Sequence, residues 1–127
     1  MAVDLPEYYI VVERPIKVVP TEDGGLNVLK YNFETGRFDY GMKYLSRVRF
    51  GKDDVEQVSE EEFVQHVEKL RGSSLKGEGT VYVLYELINA IEGVAKEKGA
   101  SLTMEEKALI VSLRRETYQL FEESQKT

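Results

Sequence analysis

The feature that most limits what this chain can fold into is a change of hydrophobic rhythm near residue 59. Before it, apolar residues recur as short runs or at every second position, broken by Pro and Gly. After it, they recur three and four apart, the spacing of one face of a helix. A chain that keeps its strands in one half and its helices in the other reads as α+β. Its 127 residues match the commonest size of a single domain with one core. The expectation is therefore one domain. Residues 7–58 should form an antiparallel sheet of about four strands, and three helices within 59–125 should cover one of its faces.

Local signals fill in this outline. Tyr8 to Val12 is apolar at both parities, as a strand covered on two faces would be. Arg14-Pro15 interrupts it, because proline cannot donate to a ladder, and Ile16 to Val19 resumes. Pro20 to Gly25 is a turn, and Leu26 to Phe33 is a second long strand. Glu34-Thr35-Gly36-Arg37 reads as a hairpin loop with Gly36 left-handed, returning through Phe38 to Tyr40. Residues 42–50 fit strand or helix. Tyr44, Val48 and Phe50 fall on one parity, which favours strand. Residues 54–58 could add a short edge strand.

In the second half, Ser59 with Glu62 and Thr103 with Glu106 are capping boxes. Phe63, Val67 and Leu70 form a stripe that Gly72 should end. Thr80 should cap a longer helix through Val81, Leu84, Ile88, Ile91 and Ala95, flanked by Leu87 and Val94 and closed by Gly99. Leu109, Ile110, Leu113, Thr117, Leu120 and Phe121 line the last helix, which a short link makes antiparallel to its predecessor.

Composition removes several kinds of chemistry. The chain has no cysteine, so disulfides, thiolate nucleophiles and Cys-based metal or iron–sulfur sites are excluded. Together with an acidic N-terminus unlike a signal peptide, and no apolar run long enough to span a bilayer, this points to the cytoplasm and away from membranes. Net charge is −6, from 17 Lys and Arg against 23 Asp and Glu, a balance that opposes general nucleic-acid binding. Residues 42–52 hold Lys43, Arg47, Arg49 and Lys52 with no acid. Residues 53–64 hold Asp53, Asp54, Glu56, Glu60, Glu61 and Glu62 with no base.

His66 is the one imidazole of the chain. It follows Glu62 by four residues, so the two share a helix face, but it also borders the Phe63–Leu70 stripe. A ring packed over the core is the expected state, and one histidine with one carboxylate is too few ligands for a specific metal site. The loop from Gly72 to Thr80 has the glycines and lysine of a phosphate cradle, but in an order unlike a P-loop, and Glu78 would repel the anion. Lys43, Tyr44, Arg47 and Arg49 interleave aromatic and basic side chains. Tyr82 and Tyr85 fall on the helix face opposite the apolar stripe, where tyrosines serve interfaces well.

The expectation is a non-enzymatic protein–protein interaction protein of the inhibitor, immunity or adaptor type. It should need no cofactor or metal and should engage another protein through Lys43, Tyr44, Arg47, Arg49, Tyr82 and Tyr85, with self-association left open. Two other readings stand beside it. One is a small enzyme or ligand-binding protein using carboxylates with His66. The other is a nucleic-acid-linked regulator using Arg47 and Arg49.

Overall fold

The computed structural model describes residues 4–51 and 54–125. The chain divides into two compact units, residues 1–66 and 67–127, with the division inside one helix.

The first unit is built on a five-stranded antiparallel sheet: β1 (Glu7–Val11), β2 (Arg14–Pro20), β3 (Leu26–Tyr31), β4 (Phe38–Tyr40) and β5 (Val55–Val58). Their spatial order is β4-β3-β2-β1-β5. The short strand expected at residues 54–58 is present as β5, at the edge beside β1. The Glu34–Arg37 loop forms as its sequence predicts. Gly36 has φ 74°, its N–H meets the Asn32 carbonyl, and the Asn32 N–H meets the Arg37 carbonyl, each at 2.8 Å.

Residues 42–50 are helical, which corrects the preference for strand. A 3-10 turn (Met42–Tyr44) runs into helix α1 (Leu45–Phe50). The reason lies in packing. Val48 joins Tyr9, Val11, Ile16, Val18 and Val28 in a buried cluster, and Tyr44 and Leu45 pack against the same cluster. Positions 44, 45 and 48 meet one surface only at helical spacing.

Helix α2 (Glu60–Ser74) starts at the expected cap. The Ser59 hydroxyl accepts from the Glu62 N–H at 3.1 Å, and Glu62 accepts from the Ser59 N–H at 3.2 Å. Its first turns set Phe63 against Tyr8 and Phe38, with ring centroids 4.7 and 5.7 Å apart. Tyr8 and Tyr9 project from opposite faces of β1. One face therefore meets α1 and the other meets Phe63, which explains why β1 is apolar at both parities.

The interruption between β1 and β2 is not at Arg14-Pro15, which lies within β2, but at Val12-Glu13. Both residues are left-handed, with φ 49° and 82°, the pattern of a two-residue primed turn.

The second unit holds the rest of α2, then α3 (Thr80–Glu97) and α4 (Met104–Ser124). Two boundaries differ from expectation. Helix α2 continues past Gly72 to Ser74, where the Ser73 and Ser74 hydroxyls bond the Leu70 carbonyl. Thr80 lies inside α3, whose N-cap is Gly79 with no side-chain cap. Gly99, at φ 65°, closes α3 with Gly99 N–H to Lys96 O and Ala100 N–H to Ala95 O, each at 3.0 Å. Thr103 and Glu106 form the expected capping box on α4, which returns antiparallel along α3.

Candidate functional site

Of the six residues expected to meet a partner, four belong to the first unit and two to the second. Arg47 pairs with Asp54. Arg49 donates to Glu7 at 2.6 Å and to the Tyr9 hydroxyl at 3.1 Å, and Glu7 raises the guanidinium pKa above its ordinary value. Tyr44 is half-buried against the sheet core, while Lys43 is exposed. Arg47 and Arg49 of the basic segment thus pair with acids of their own chain. Lys52 and Asp53, where the charge run changes sign, lie outside the described residues.

The tyrosines are also engaged. Tyr85 is 2% exposed, so the expected surface position is corrected to a core one. Tyr82 lies over the α2–α3 connection, where a Cβ on Gly77 would come within 2.9 Å of its ring. The two rings meet edge to face, 6.0 Å apart.

His66 and Glu62 do not act together. Glu62 serves Ser59, and His66 Nε2 donates to the Glu13 carbonyl at 2.8 Å. The ring borders an open groove with Asp54 and Glu56. No group of three or more His, Cys, Asp or Glu able to hold a metal occurs among the described residues.

The densest polar arrangement lies in the second unit. Glu68 and Arg71, three apart on α2, have fully buried side chains and pair at 2.8 Å. Arg71 also binds Glu122 of α4 at 2.7 Å, and its guanidinium lies 3.9 Å from the Phe121 ring centroid. The Tyr85 hydroxyl donates to the other Glu68 oxygen at 2.8 Å. Burial pushes the Glu68 carboxyl pKa up, against the opposing pull of the Arg71 charge and of hydrogen bonds from Thr117, Tyr85 and Arg71. This set was missed in the sequence, although a signal existed. Val64, Val67, Glu68, Arg71 and Leu75 occupy one i, i+3, i+4 stripe, with opposite charges in the middle of it.

Beside the network opens a cleft of about 100 Å³, lined in part by Glu68, Ser73, Tyr85, Asn89, Glu92 and Arg114. Arg114 reaches Glu92 only at 3.5 Å. Its buried Nε has no hydrogen-bond partner among the described residues.

On α3, Val83, Leu87 and Val94 are 62%, 45% and 49% exposed, and Ala90 between them is exposed as well. At about 100° per residue these four fall within an arc of about 60°, roughly 130° away from buried Ile88. The helix thus has one apolar face in the core and a second in solvent.

Comparison with protein-family models, with curated proteins and with solved structures finds no match to this chain. Among the described residues, no helix is long and apolar enough to cross a membrane.

Proposed function

We propose that this protein acts by docking on another polypeptide, as an inhibitor, immunity or adaptor protein does, and not by turning over a substrate. The observation that carries the reading is the second apolar face of α3. Singly exposed apolar residues are ordinary, but an aligned apolar stripe is the usual seat of a helix-in-groove or helix-on-helix contact. The expected contact residues shift accordingly, from Arg47 and Arg49, which pair with acids of their own chain, and buried Tyr85, to Val83, Leu87, Ala90 and Val94. A nucleic-acid role through Arg47 and Arg49 loses support, because Asp54 and Glu7 already hold both guanidinium groups.

The test is a photo-crosslinking residue placed at Ala90 in the native host. A crosslinked adduct of discrete mass that disappears with Leu87→Asp is expected. Failure to obtain any adduct would remove the reading.

A second reading rests on the Arg114 cleft. An orphan guanidinium N–H beside Asn89 and Ser73 suits a small carboxylate, whose oxygens match the guanidinium fork. Melting temperatures measured with acetate, succinate and free amino acids, for the native protein and for Arg114→Met, separate the two ideas. A rise seen only in the native protein would favour a small-ligand site.

A further inference from the structure

We propose that the polypeptide docked on α3 is a second copy of this chain, with the two α3 helices packed antiparallel about a two-fold axis. The proposal rests on the docking reading above and names its occupant.

The argument begins with spacing. Positions 83, 87, 90 and 94 are separated by four, three and four residues, the repeat of a coiled-coil seam. The seam also reads the same in both directions. Turned end for end about a point between residues 88 and 89, it places Val83 against Val94 of the other copy and Leu87 against Ala90. Leu87, the largest side chain of the seam, meets Ala90, the smallest, and Val83 meets the equal Val94, so every layer holds a similar volume, and two-fold symmetry repeats every contact. A parallel pairing would instead set Leu87 on Leu87 and Ala90 on Ala90, one layer overfilled and one empty.

The next layer outward is complementary in charge. It sets Thr80, at the start of α3, against Glu97 of the other copy. The N-terminus of α3 has a glycine N-cap, no side-chain cap and no acid in its first turn, so its orphan N–H groups and positive dipole end are uncompensated within the helix. A carboxylate from the second copy arrives where that end needs one, twice per dimer.

The size of the contact sets its class. Eighteen residues make a helix about 27 Å long. One such helix pair lies at the low end of specific interfaces, below about 1,200 Å². Contacts of this size are typical of transient association, so the dimer should be a weak one that exchanges with monomer.

The test uses the full chain. Sedimentation equilibrium from about 1 µM to 1 mM should show a monomer–dimer equilibrium in that range. Leu87→Asp, at an exposed site, should be monomeric throughout with an unchanged melting curve at low concentration. Because the chain has no cysteine, register is read directly. A mixture of Leu87→Cys and Ala90→Cys chains, mildly oxidised, should give mixed disulfide several-fold above the disulfide formed by either chain alone. A native chain that stays monomeric at every concentration overturns the proposal, as does equal crosslinking in mixed and unmixed samples. If that monomer still yields an Ala90 adduct with a different protein, the second copy is wrong and the docking reading stands. If it yields none, both fall.

Discussion

Arg14 supplies to Tyr31 a hydrogen bond that the β-sheet itself cannot. One step beyond the Ile16–Lys30 pair, the residue of β2 facing Tyr31 is Pro15, which has no N–H for the ladder. The Arg14 guanidinium reaches across and donates to the Tyr31 carbonyl at 2.6 Å. It also lies 4.7 Å from the Phe33 ring centroid, which holds it in place. Arg14→Met should therefore cost about 1–3 kcal/mol, through the lost charge-assisted hydrogen bond and the lost contact with the Phe33 ring. Arg14→Lys should restore only part of it, having no planar fork. Urea unfolding of the three proteins decides the matter; equal midpoints would mean that Tyr31 has another donor.

The Val12-Glu13 turn holds two non-glycine residues left-handed, one of them β-branched, at about 1–2 kcal/mol each. Replacing the pair by Asn-Gly, the sequence such a turn prefers, should raise stability by at least about 1 kcal/mol. The His66 bond goes to the Glu13 backbone carbonyl and should survive. A lower melting temperature in the Asn-Gly variant would show that the turn is not under strain.

Ser59→Ala and Thr103→Ala should each destabilise by about 1 kcal/mol, because each removes the oxygen that accepts an orphan N–H at the start of α2 or α4. Ser→Gly and Thr→Gly at the same sites should cost less than the alanine changes. Chemical denaturation of the four variants tests the ranking.

Arg71→Met should cost roughly 3–5 kcal/mol by stranding the buried Glu68 carboxylate, while Glu68→Leu with Arg71→Met should recover much of the loss. The pH dependence has a definite sign. Burial raises the Glu68 pKa above its ordinary 4.5, so the folded state holds this proton more tightly than the unfolded chain. The resulting stability is fully present below the ordinary value and is lost as pH rises through the raised one. Relative to Glu68→Gln, the native protein should lose stability from about pH 4 upward. A difference that stays flat, or grows with pH, would contradict the shift.

Much of the fold was legible because single residues dictated it. Gly36 alone permits the β3–β4 loop, and the Ser59 and Thr103 boxes fix two helix starts. Residues 42–50 were not legible. Tyr44, Val48 and Phe50 satisfy a strand as well as Tyr44, Leu45 and Val48 satisfy a helix, and only the sheet cluster that receives the latter set decides between them. Gly72 misled for a related reason. It reads as a stop, but hydroxyls at 73 and 74 carry α2 another half turn, and the position asks nothing special of glycine, since a Cβ there would make only ordinary contact with Tyr85. The candidate site was read less well than the fold. Opposite charges alternating along a surface look the same in sequence whether they face a partner or each other, and Arg47 and Arg49 face Asp54 and Glu7. Leu87 and Val94 keep the periodicity of a core, and nothing in their spacing says that solvent lies on that side.

The Glu68–Arg71–Tyr85–Glu122 set has a consequence for how its helices find one another. The groups come from three helices, so each helix has one rotational setting at which every charge is answered. A slip of one residue turns a helix by about 100° and strands a buried ion at a cost of several kcal/mol. Apolar side chains that slide past one another lose far less. The set therefore works like the wards of a lock, raising the energy of near-miss packings more than it deepens the right one. A version with leucine and methionine in these places should melt at least as high and yet give broader amide resonances, from helices that no longer know which way to face.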